Sequence, residues 1–77
     1  MNSLNLKYIK ERRLQLGITQ QKMAENMGFK NSSTYLKYEM GTYSFKAEHL
    51  PILAKSLNCM IIDFFTQNIA KTETKVI

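Results

Sequence analysis

The sequence predicts an all-α domain: a compact bundle of five short helices with no strand. Three observations carry this. Apolar residues recur at three-to-four spacing along most of the chain, and glycines stand at 17, 28 and 41 where that spacing breaks. The single proline, Pro51, falls where a first helical turn tolerates it.

Seventy-seven residues allow one core and leave no room for a two-domain enzyme. Hydrophobic residues at 44% and charged residues at 22% are a globular composition, so the chain is expected to fold over 1–67, with 68–77 a flexible tail. The lone Cys59 cannot close an internal disulfide and falls short of the ligands a structural zinc needs. No apolar run approaches the roughly 18 residues of a membrane span. These readings predict a cytoplasmic protein with no membrane partner, no metal and no cofactor. Eleven Lys plus Arg against six Asp plus Glu give a net charge of +5, which makes nucleic acid a candidate partner. Charge alone does not decide it, because many small basic domains are merely soluble.

The first helix runs from Leu6 to Leu16, with Leu6, Ile9 and Leu16 on one stripe, Arg13 among them, and Gly17 as its stop. Thr19 caps the second, Gln20 to Met27, which presents Met23, Ala24 and Met27 inward until Gly28. After Phe29 and Lys30, Asn31 caps a third helix over 32–40 that turns Tyr35 and Tyr38 into the core and ends at Gly41. Leu50, Leu53, Ala54 and Leu57 mark a fourth helix starting near Glu48, after which Asn58 suits a left-handed turn. Ile61, Ile62, Phe64 and Phe65 make a short fifth helix ending near Gln67. Cys59 reads as a small buried apolar residue in the turn before it.

The run Arg13-Leu14-Gln15-Leu16-Gly17-Ile18-Thr19-Gln20, followed by Met23-Ala24, Met27-Gly28, Tyr38-Glu39 and Gly41, resembles the lambda repressor and Cro family of helix-turn-helix domains. Leu50-Pro51 through Leu57 and then Ile61 to Phe65 continue the likeness, which covers roughly residues 5–66. Helices two and three form the helix-turn-helix, and the small Ala24 lets them cross closely. The resemblance implies an ion pair between Arg13 and Glu39, both on otherwise apolar faces; the alternative is two solvated surface charges. The connection from Gly28 to Gly41 is one residue longer than the family's common pattern, the extra residue being Lys30, and the loop after Gly41 lacks the family's usual basic residues.

In that architecture the third helix enters the major groove of double-stranded DNA and the start of helix two meets the backbone. Gln20 is then a phosphate contact and a brace for helix three, or simply an exposed glutamine. Ser32, Ser33, Leu36 and Lys37 face outward as the reading positions, with Leu36 suited to a thymine methyl and Lys37 to guanine or phosphate. Lys30 and Asn31 flank the helix start within reach of phosphate, and Tyr43, Ser44 and Lys46 are candidates from the following loop. Lys10, Arg12, Lys22 and Lys55 are read as solvated face. Glutamine and arginine are absent from the reading positions, which gives DNA shape a share in selectivity.

Helix five is more apolar than a core of this size needs on one face, so Ile61, Ile62 and Phe65 are expected to pair two copies as a weak homodimer; the alternative places them inside. The leading function is a sequence-specific transcriptional regulator, a repressor. The second is a protein-interaction module on the same fold, an antitoxin or anti-repressor. His49 has no acid, thiol or second imidazole at catalytic spacing, so no enzyme and no small-molecule ligand are expected.

Overall fold

The computed structural model describes residues 4–65, and the segment 68–77 read as a tail lies outside the described residues. Four α-helices form: α1 (Leu6–Gln15), α2 (Gln20–Met27), α3 (Ser32–Met40) and α4 (Leu50–Ser56). Two 3-10 segments complete the fold, Ala47–His49 before α4 and Ile61–Phe65 after it. Among the described residues there is no strand.

Side-chain caps and glycines set the helix limits. Asn5, Thr19 and Asn31 each accept the backbone N–H three residues on, at Tyr8, Lys22 and Thr34, in the manner of N-caps. Gly28 and Gly41 take left-handed backbone at φ 79° and 92°, so that the N–H groups of Phe29 and Thr42 reach back to the carbonyls of Ala24 and Lys37. Asn58 turns left-handed at φ 51°, directing the Cys59 N–H to the carbonyl of Ala54.

The fifth predicted α-helix is instead a 3-10 helix, and its predicted end near Gln67 lies outside the described residues. Its short span buries Phe64 fully while the Phe64 carbonyl accepts the Asn5 N–H at 2.7 Å. The Asp63 carboxylate accepts the Met60 N–H at 2.9 Å while the Asp63 N–H donates to the Met60 carbonyl, so the start of this helix is closed without a capping side chain at Met60. The fourth helix starts at Leu50, not near Glu48, because a 3-10 turn comes first and places Pro51 in the first α-turn. Leu16 lies past the end of α1 and is exposed, so the apolar stripe of that helix stops at Arg13.

The core gathers Ile9 from α1, Met23, Ala24 and Met27 from α2, Tyr35 from α3, Leu53, Ala54 and Leu57 around α4, and Phe64. Ala24 of α2 is fully buried, and a larger side chain there would overpack the core at about 1–3 kcal/mol.

Arg13 and Glu39 are both buried and form a two-pronged ion pair: Nε donates to Oε2 at 2.8 Å and Nη2 to Oε1 at 3.1 Å. The remaining prong, Nη1, donates to the Ile18 carbonyl, and the Tyr35 hydroxyl donates to Glu39 Oε2 at 2.7 Å. Its bond to Glu39 raises the Arg13 pKa further, and burial is the main cause holding the Tyr35 phenol above its ordinary range. Among the described residues no buried side-chain polar atom lacks a partner.

Arg12, read from sequence as solvated face, is committed to the fold. Its Nε donates to the Leu57 carbonyl at 2.9 Å and Nη2 to that of Asn58 at 3.1 Å, tying the end of α4 to α1. Cys59 is half-buried against the Tyr8 hydroxyl, and burial pushes its thiol pKa up.

Glu39→Ala strands the Arg13 charge in the core and is expected to cost about 3–5 kcal/mol, most of the stability of a domain this small. Tyr35→Phe removes only one donor to Glu39 and is expected to cost about 1–2 kcal/mol. Urea unfolding followed by far-UV circular dichroism measures both; equal midpoints for Glu39→Ala and the parent would show the pair to be dispensable.

Candidate nucleic-acid interface

The candidate interface is built on the start of α2, the turn before α3 and the outward side of α3. Extended backbone at Asn31 lets its Oδ1 accept both the N–H and the hydroxyl of Thr34, at 2.9 and 3.1 Å. That cap satisfies the third amide of α3 and leaves those of Ser32 and Ser33, ahead of the first intrahelical bond, directed out of the helix end. Ser33 and Lys37 are exposed; Ser32, Thr34 and Leu36 are half-buried. Tyr35 is fully buried and Glu39 nearly so, which fixes the inward side of α3 and sends 33 and 37 the other way.

Lys37 also reaches the following loop. Its Nζ lies 5.5 Å from the centre of the Tyr43 ring, within cation–π range, and Tyr43 meets Tyr38 edge-on at 5.3 Å. Tyr38, expected in the core, is half-buried and serves as the centre of an aromatic pile. Phe29 stacks on it at 4.7 Å, His49 meets it edge-on at 5.3 Å and Phe45 leans against it at 5.2 Å. The pile fastens the turn before α3 and the loop after it to the same helix. His49 further accepts the Lys46 N–H on Nδ1 at 2.9 Å, holding the loop closed.

The remaining predicted residues fall in separate places. Gln20, half-buried as the first residue of α2, lines a groove of about 310 Å³ together with Leu36. Lys30 and Asn31 are exposed at the turn, and Ser44 and Lys46 are exposed on the loop. Ile61 and Ile62 are exposed on the terminal 3-10 helix, whereas Phe65 packs half-buried against the core and so leaves the apolar face to the two isoleucines and Met60.

Sequence reasoning missed the Tyr35 hydroxyl as the third member of the Arg13–Glu39 pair. Its signal was the four-residue spacing from Tyr35 to Glu39, which stacks the two on one helix face. Lys10, read from sequence as solvated face, is exposed, and so is Lys7; both border the Gln20 groove.

Among the described residues no helix is long and apolar enough to cross a membrane, and no cluster of three or more His, Cys, Asp or Glu could hold a metal ion. No curated protein and no solved structure matches the chain. A helix-turn-helix family model matches residues 9–63, well over half of the sequence, from within α1 to within the terminal 3-10 helix. With the buried Arg13–Glu39 pair, the buried Ala24 and the glycine-ended α2 and α3 inside that match, the chain belongs to the lambda repressor-like helix-turn-helix family of DNA-binding regulators.

Proposed function

We propose that this protein is a sequence-specific transcriptional repressor that lays the front of α3 in the major groove of operator DNA and acts by occupying a promoter. The observation that carries the reading is the uncovered polar side of α3: Ser33 and Lys37 face solvent on a helix whose opposite side is locked by Tyr35 and Glu39. Ser32, Ser33 and Leu36 supply base contacts, Lys37 reaches a guanine edge or a phosphate, and Gln20, Lys30, Asn31, Tyr43 and Ser44 hold the backbone. Serine discriminates weakly among bases, so groove shape carries part of the selectivity.

One such domain covers half a site, and a two-fold pair spans half-sites about 34 Å apart. We assign the pairing to the exposed Ile61 and Ile62 with Met60, at the edge of which Phe65 sits half-buried. The same exposed apolar face favours the second reading, a protein-interaction module such as an antitoxin or anti-repressor, in which another protein covers it. Salt-dependent operator binding by the purified chain supports the repressor; a partner that binds tightly while DNA does not would favour the module.

Selection from random duplexes is expected to return a two-fold symmetric site, and joint replacement of Ser32, Ser33 and Leu36 by alanine is expected to change its sequence. An unchanged preference would remove α3 from the role of reader. Lys30→Ala and Lys37→Ala, as phosphate contacts, are each expected to weaken binding to every sequence and lower the salt slope by about one unit. Sedimentation over a range of concentrations is expected to show a monomer–dimer equilibrium that Ile62→Glu abolishes, and a monomer throughout would contradict the pairing.

A further inference from the structure

The groove that Gln20 shares with Leu36 runs between α1 and α3 and is bordered by Lys7 and Lys10, with Met40 and Glu39 completing it. Both lysines are exposed, three residues apart on one side of α1, and neither forms an ion pair among the described residues. Arg12, by contrast, spends its donors on the carbonyls at the end of α4. The one carboxylate in the groove, Glu39, is already met by three donors from Arg13 and Tyr35, so the groove presents cations with the acidic group neutralised. Leu36 is half-buried and Met40 67% exposed, an apolar floor beside the two charges. A ligand suited to such a surface carries spaced anions along an apolar edge, which describes the sugar-phosphate strand of a duplex.

We infer that this groove is an additional DNA-backbone site, in which Lys7 and Lys10 hold phosphates of the strand that flanks the groove entered by α3. Gln20 joins the two parts of the interface, since the residue that begins α2 also forms the edge of this cleft. The footprint of the protein therefore extends beyond the helix-turn-helix onto the first helix, by two charges that carry no base preference. The inference rests on the DNA-binding reading proposed above.

The test uses the full chain, a fluorescent duplex of random sequence and anisotropy titrations at several salt concentrations. Joint Lys7→Ala and Lys10→Ala is expected to lower the salt slope by about two units and to weaken binding about tenfold or more on all sequences alike, leaving the selected site unchanged. Lys55→Ala, placed in a different cleft between α2 and α4, serves as the comparison for simple loss of net charge. Unfolding midpoints equal to the parent's establish that both variants fold. A double variant that loses no more than twice the Lys55→Ala effect would overturn the inference while leaving the repressor reading in place. A parent chain that binds no duplex at low salt would overturn both, so the two failures are distinct.

Discussion

The buried contact among Arg13, Glu39 and Tyr35 is the constraint on which the orientation of α3 depends. Taking two charges out of water costs several kcal/mol per ion, and that cost is offset only where geometry and satisfaction are complete. Here they are: the carboxylate has three donors and the guanidinium reaches a backbone carbonyl besides. An apolar trio of the same volume can be equally stable, so the distinctive contribution of the charged one is direction. Glu39 has to face Arg13, Tyr35 one turn earlier has to face Glu39, and the positions two before each are then turned to solvent. The inward geometry of α3 thereby dictates its outward face.

A second fastening works from the opposite end. Phe29 in the turn, Phe45 in the loop and His49 after it all meet the Tyr38 ring, so the segments on both sides of α3 are clamped to it. Aromatic pairs of this kind add about 0.5–1.5 kcal/mol beyond their buried area. Tyr43 and Lys37 are thereby held together on one side of the helix, the side proposed above to meet a duplex.

Much of this architecture was legible in the sequence because it is specified locally. Thr19 and Asn31 cap the helices they precede, Gly28 and Gly41 end them in left-handed backbone, and Ala24 falls on the buried side of α2, each a feature readable within a few residues. What escaped is set by partners far along the chain. Arg12 looks like any surface arginine until α4 ends 45 residues later and offers it two carbonyls. Tyr38 shares helical spacing with core residues, yet it becomes the hub of a half-exposed pile because Phe29 and His49 arrive beside it. The terminal segment is apolar enough for an α-helix, yet residues 61–65 form a 3-10 helix in which Phe64 is buried and its carbonyl accepts the N–H of Asn5, a partner far away in sequence. The candidate interface followed the same division: Ser33 and Lys37 could be placed from helical period, whereas the pairing of Lys37 with Tyr43 required the loop's path.

The proposed function requires a particular contact surface as well as an activity. Backbone amide shifts in the 15N-labelled chain, followed while a duplex of random sequence is added at low salt, test it most directly. The largest changes are predicted at the start of α3, from Ser32 to Ser33, and at Gln20, with Lys37 and Tyr43 moving together. Changes confined to the Met60–Ile62 face, with the front of α3 silent, would contradict the claim that this helix is the part of the molecule that meets DNA.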